Sequence, residues 1–395
     1  MVALFLNGDY SLIVPVVSSF YTILDTQRHP TGDAVRFLIA EGDIYSTFPK
    51  LLQELGKSGM IATAKRARYS SRLMPTLASA NLVVESGIVI TVSRIRKEGP
   101  RSRLSVALPA LLFAATLAVV FIDGLFKAGS DFARVFIQDP FLIATVYTMS
   151  LMGILGVHEM GHMIANKWHG VKSSWPYFIP IVPGIFIVPT LGAAIVARSN
   201  MTNRNVLFDV GISGPIAGLI VTIVVAVYGS QISVLIPAFQ ADNLPQDQLW
   251  HLPTSFLMAA TQELTIGDTE EGSLLIMSPV LIAAWVGFFV TFLNLMPAAQ
   301  LDGGHIVRSA LGVRWHRTLT YSSIAFMIGL GFATQIFGIS LMAIFVLLIA
   351  RKAPESTPLD DVSPLSKKRK ALFWVAIAIT ILSAPLPQAI FSPLF

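Results

Sequence analysis

The feature that most limits how this chain can fold is an apolar run over residues 140–166, long enough to cross a bilayer, with His158, Glu159 and His162 in its second half. A spanning segment has no water to satisfy its backbone and must be helical. On a helix, positions i and i+4 share one face roughly 6 Å apart. The two imidazoles can therefore converge on one metal ion, and Glu159 can reach a water bound to that ion. Ionisable groups in apolar spans are costly and seldom kept without a role. The competing reading, three polar residues meeting by chance, sits poorly with only 7 histidines in 395 residues.

Composition agrees with a membrane environment. Hydrophobic residues make up 54% and charged residues 13%, against about a quarter charged in soluble domains. The expected class is a polytopic α-helical membrane protein with the lipid bilayer as its surroundings. There is no cysteine, which removes disulfides, thiolate ligands and cysteine nucleophiles, so any metal must use nitrogen and oxygen donors. The net charge of +5 does not imply a nucleic-acid partner, because the basic residues cluster beside apolar spans and read as topology signals.

Residues 1–100 are the one sizeable polar region and read as a small α+β soluble domain. Its first ten residues lack a basic leader segment, so the start belongs to a folded domain rather than a cleaved signal. Strands are expected at 34–39, 60–67 and 82–92, and an amphipathic helix at 47–56 with Phe48, Leu51, Leu52 and Leu55 on one face. Lys65, Arg66, Arg68 and Arg72 form a basic face, solvated or against anionic headgroups. Basic residues at 94–103 precede the first apolar run, 104–122, which puts the soluble domain in the cytosol. The second span, 140–166, returns inward. His158, about 27 Å along from Pro140, then lies in the cytosolic part of the membrane.

Residues 175–197 are apolar but interrupted by Pro176, Pro180, Pro183, Gly184 and Pro189, a density that forbids a spanning helix. A re-entrant β-like hairpin is expected, with an edge able to pair with an unwound substrate backbone; a structural plug is the alternative. A third span covers 206–228, where Gly211, Gly214 and Gly218 read as close helix packing. The segment 230–273 carries acidic residues and no Lys or Arg, so it lies outside, with His251 as a loop histidine. Further spans follow at 277–296, as a helical hairpin at 318–335 and 339–350, and at 371–390. The total is about seven transmembrane helices, with 101–395 as the membrane domain and 140–305 as its core.

A catalytic zinc usually takes three protein ligands and one open position. The extended helical motif with a third histidine fails, since Trp168 stands at that position and Ala165 replaces the glycine. Asp302 is the better third ligand, because the spans ending near 162 and 296 both run inward and bring it to similar depth. Pro297 is expected to leave Asp302 on an irregular segment, with Gly303 and Gly304 clearing space beside it. A helix cap is the competing role for Asp302, and His305 is an alternative ligand or a support for one.

The His158-Glu159-Met160-Gly161-His162 motif, the later Asn294, Pro297 and Asp302-Gly303 spacing, and the Gly214-Pro215 pair between them resemble the site-2 protease family of intramembrane zinc metalloproteases. The branch indicated is similar to the plant ethylene-dependent gravitropism-deficient and yellow-green proteins, given the N-terminal soluble domain and the stretch at 176–180. The resemblance covers about residues 140–305. It implies that His158, His162 and Asp302 bind Zn2+, that Glu159 activates water, and that Asn294 positions substrate or stabilises the oxyanion. Ala299 departs from the family pattern, which often has a second proline there. No PDZ-like module is evident.

The expected function is hydrolysis of peptide bonds within or near a transmembrane segment of a membrane protein substrate, as in regulated intramembrane proteolysis. A metal-coupled transporter would use the same side chains as an ion path, although the inverted pair of broken helices that transporters favour is not seen. A scaffold retaining a structural zinc is a third reading.

Overall fold

The computed structural model describes residues 7–28, 33–68, 86–95, 103–129, 139–182, 188–237, 252–267, 273–333, 337–352 and 357–386. His251, Arg72 and the acidic residues Asp242, Asp247, Asp268, Glu270 and Glu271 lie outside them. The chain divides into two compact units.

The first unit takes in residues 1–100 together with 200–207 and 357–366. It contains α1 (Asn7–Ser18), β1 (Ile23–Arg28), β2 (Ala34–Ile39), α2 (Ile44–Lys57), β3 (Met60–Arg68) and β4 (Ser86–Arg94). The four strands form one antiparallel sheet in the order β1-β2-β4-β3. Alternation of Ile88, Ile90 and Val92 sends one face of β4 into the core, where Phe37 and Ile39 of β2 and Ala62 and Ala64 of β3 join it. Helix α2 closes that face with Ile44, Phe48, Leu51 and Leu55. Each such large side chain, once buried, contributes about 1.5–3 kcal/mol.

The outer edge of β3 is covered by sequence-distant chain. Ala64 N–H donates to the Leu359 carbonyl (2.7 Å), and Asp361 N–H donates to the Ala64 carbonyl (3.0 Å). The same segment is bonded on its other side: Leu359 N–H to Met201 O and Asp360 N–H to Thr202 O, each 2.9 Å. Arg204 Nε donates to Asp361 Oδ1 at 3.0 Å. Backbone groups that an edge strand would leave open are thereby satisfied.

The second unit is mostly helical. It contains α3 (Arg103–Ala128), α4 (Pro140–Trp168), β5 (Tyr177–Pro180), β6 (Thr190–Ala194), most of α5 (Arg204–Gln231), β7 (Val234–Ile236), α6 (Phe256–Ile266), β8 (Leu274–Ile276), α7 (Pro279–Leu295), α8 (Asp302–Ala333), α9 (Phe337–Lys352) and α10 (Lys367–Leu382). Among the described residues three helices are long and apolar enough to cross a membrane: Ala107–Ala128 within α3, then α4 and α5. Helix α7 and residues 338–348 of α9 are apolar but shorter. Helix α7 is buried on every face and forms the middle of the unit's core.

Asp139 caps α4, accepting from Phe141 N–H at 2.9 Å, and Pro140 fills the first helical position. Gly170, at φ 67, ends it. Strands β5 and β6 pair antiparallel, and the pairing is continued toward its base by Ser174 N–H to Val196 O at 2.9 Å. Phe178 of β5 packs on Phe113 of α3 with ring centroids 5.3 Å apart. The apolar run expected at 318–335 lies in the later part of α8, which is two helical stretches that meet at Gly312, whose φ of 84 is not helical.

Candidate metal centre

Helix α4 presents His158 and His162 one turn apart on a buried face, with Glu159 buried beside them. The two Nε2 atoms are 3.2 Å apart. Asp302 places Oδ2 3.3 Å from His158 Nε2 and Oδ1 3.3 Å from His162 Nε2. These three residues could hold a metal ion. A tetrahedral ion with nitrogen and oxygen ligands at about 2.0–2.1 Å needs neighbouring ligand atoms about 3.3–3.4 Å apart. Each of the three separations is close to that edge length, with the two to Asp302 ending on different carboxylate oxygens; with one ligand atom from each residue, a fourth position would remain for water or substrate.

The donor chemistry agrees with the geometry. His162 Nδ1 lies 2.7 Å from the Val210 carbonyl oxygen. A carbonyl can only accept, so Nδ1 carries the proton, and a neutral ring would then keep its lone pair on Nε2, the atom that faces His158 and Asp302. A second imidazole nitrogen and a carboxylate crowd the same point, an arrangement that a cation relieves.

Helix α5 makes the close approach possible through its glycines. A methyl group at Gly214 would overlap the His162 imidazole. One at Gly218 would lie 3.0 Å from His158 Cβ and Nδ1, and one at Gly211 3.2 Å from the Asp302 carbonyl oxygen. On the other side of the contact, Gly161 of α4 abuts the Ser213 carbonyl. Reading these glycines as generic packing therefore missed their role: they face the candidate ligands themselves. Their three- and four-residue spacing on one helix face was the available signal, and it does not say what lies opposite.

Asp302 does not sit on an irregular segment, as expected, but is the first residue of α8; the irregular stretch is 296–301, after α7 ends at Leu295. Gly303 and Gly304 lie against the carbonyls of Leu295 and Ala299, where a Cβ would overlap. Asn294, in the last turn of α7, brings Nδ2 to 3.3 Å from His158 Nε2. Glu159 has Asp302, His162 and the backbone of Ala193 on β6 as electrostatic neighbours. His305 is not in the ligand group; its Cβ packs beside Gly211. His169 bonds Asp209 at 2.9 Å instead.

Residues 146–337 match the model of peptidase family M50. Similar curated proteins include "Probable zinc metalloprotease EGY1, chloroplastic" of Arabidopsis thaliana, 29% identical over 62% of this chain and 43% of that protein. "Probable zinc metalloprotease EGY2, chloroplastic" of the same plant is 26% identical over 58% and 39% respectively. The EGY2 protein of Oryza sativa subsp. indica is 28% identical over 54% and 36%. The chain matches only about two fifths of the length of these relatives. No solved structure matches it. The matched stretch runs from α4 to the start of α9 and encloses His158, Glu159, His162, Asn294 and Asp302, so residues 146–337 form a domain of peptidase family M50, the site-2 protease family.

Proposed function

We propose that the chain is a zinc metalloendopeptidase that cuts peptide bonds within or beside transmembrane segments of membrane protein substrates. The observation that carries this reading is the convergence of His158, His162 and Asp302, with the two Nε2 atoms 3.2 Å apart, each 3.3 Å from an Asp302 carboxylate oxygen, and Glu159 buried beside them. The family match and the names of the relatives favour zinc as the ion. Zinc held there would supply a Lewis acid that polarises the scissile carbonyl and makes water a nucleophile near neutral pH.

The chain's own groups do the rest. The Glu159 carboxylate takes the proton from the attacking water and passes it to the leaving amide nitrogen, so the proton released at one atom is used at the other. The Asn294 amide, close to His158 Nε2, donates to the oxygen on which negative charge develops. The β5–β6 hairpin provides an edge for an extended substrate segment, which must leave its helix because helical hydrogen bonds shield the carbonyl. We further read the chain as crossing the bilayer about seven times, with the hairpin re-entrant. The N-terminal domain and the opening of the site face the cytosolic side, where the basic residues flanking the spans concentrate.

The test is a metal analysis of the purified full chain together with cleavage of a model transmembrane substrate. One tightly held zinc per chain and metal-dependent cleavage are expected. Metal uptake into sealed vesicles without any proteolysis would replace this reading with a transporter.

A further inference from the structure

The turn between α7 and α8 is held by two side chains that no part of the proposed chemistry uses. Ala299 has φ 47, and among the described residues it is the one non-glycine with positive φ. A left-handed alanine is sterically disfavoured and persists where its surroundings enforce it. Both of its backbone polar groups are taken by α8. Ala299 N–H donates to Thr320 Oγ1 at 3.0 Å, and the Ala299 carbonyl lies 2.9 Å from His316 Nε2, which must therefore carry the proton. Thr320 Oγ1 in turn donates to the His316 carbonyl at 2.8 Å, one helical turn back.

This pair is buried, with His316 7% and Thr320 4% exposed. His316 Nδ1 has no hydrogen-bond partner among the described residues, so the imidazole is oriented by its bond to Ala299. A proline could not stand at 299 in this geometry, because its ring fixes φ near −65° and it has no N–H for Thr320. Gly304 abuts the same Ala299 carbonyl, where a Cβ would overlap. The turn thus has one available position, and Asp302 follows three residues later.

We propose that His316 and Thr320 are positioning residues for the metal centre: by clamping the left-handed turn at Ala299 they set where the Asp302 carboxylate stands relative to His158 and His162. This rests on the metal reading given above. It assigns neither residue a contact with substrate or metal. Groups that orient a ligand without touching the ion commonly change metal affinity by about 10- to 100-fold.

The experiment is a chelator competition for zinc on the full chain in detergent, with thermal unfolding measured in parallel. Thr320→Val keeps the shape and loses the hydroxyl, and His316→Ala loses the donor. Both are expected to weaken zinc binding by about 10- to 100-fold while remaining folded. Thr320→Ser and His316→Gln, which keep a hydroxyl and an N–H donor, are expected to bind within threefold of the parent. The proposal is overturned if folded Thr320→Val and His316→Ala hold zinc as the parent does, or if the Ser and Gln variants lose as much as the truncations. Where a truncation fails to fold, its conservative partner decides: near-parent affinity is the expected result, and a tenfold loss overturns the proposal. A parent chain that takes up no zinc defeats the metal reading itself, which separates the two failures.

Discussion

His162 turns Nδ1 toward the carbonyl oxygen of Val210, 2.7 Å away, so a backbone group of α5 fixes the orientation of a candidate ligand on α4. Four residues further along α5, Gly214 lies against the other side of the same imidazole. One helix thus both holds the ring and leaves room for it, and a substitution on α5 should be felt at the metal.

Gly214→Ala is expected to abolish stoichiometric zinc binding, because the added methyl occupies the space of His162 Nε2, the atom that faces Asp302. Gly218→Ala places its methyl 3.0 Å from His158 Cβ and Nδ1, a contact that a shift of a few tenths of an ångström relieves, and should weaken binding by about tenfold at most. Metal content of the two purified variants checks the order. Equal zinc in both would remove the glycine face from the account of the site.

Glu159→Gln keeps size and hydrogen-bonding capacity while removing the base. Zinc content should stay at the parent level and cleavage of a transmembrane substrate should fall by about 10²- to 10⁴-fold. Asp302→Ala, in contrast, should lose both. Cleavage by Glu159→Gln at the parent rate would rule out the proposed proton transfer.

The pairing of His158 with His162 was legible in the sequence because helical spacing is local. Asp302, 140 residues beyond His162, was reached by reasoning about depth and by the resemblance that the Asn294, Pro297 and Asp302-Gly303 spacing carries. That the proline-rich stretch would not be a spanning helix was readable because proline excludes helix, and β5 there pairs antiparallel with β6. Three features carried no local signal. The edge of β3 is covered by residues 357–361 through backbone hydrogen bonds, which any side chains permit. The carbonyl of Val210 has no side-chain signature. The left-handed Ala299 is set by partners 17 and 21 residues away on α8, and alanine itself gives no hint of it.

Asp209 on α5 joins three helix ends. Arg369 of α10 donates to both of its oxygens, at 2.7 and 2.5 Å, and His169 at the end of α4 bonds it at 2.9 Å. Bidentate pairing of this kind is among the stronger polar interactions. Arg369→Gln should destabilise the folded chain by about 1.5–3 kcal/mol, read as a lower unfolding temperature. Asp209→Asn should do likewise, and the double variant should be no worse than the sum of the two. Unfolding temperatures unchanged from the parent would show the cluster to be dispensable.

Asp43 caps α2 of the first unit, accepting from Ser46 Oγ at 2.5 Å and Ser46 N–H at 3.3 Å. These bonds to the charged form, the hydroxyl foremost, hold its carboxyl below the ordinary range. A folded-state pKa depressed below the unfolded value of about 3.9 gives a contribution to stability that is present in full above that value. The contribution is lost as the pH falls through the folded-state pKa. Asp43→Ala should therefore speed amide hydrogen exchange in the first turn of α2 at neutral pH, and the difference from the parent, corrected for intrinsic exchange, should shrink on acidification. Ser46→Ala should move the Asp43 titration upward toward its ordinary value. A parent–variant difference that stays constant down to strongly acidic pH would show that the neutral carboxyl caps the helix as well as the carboxylate does.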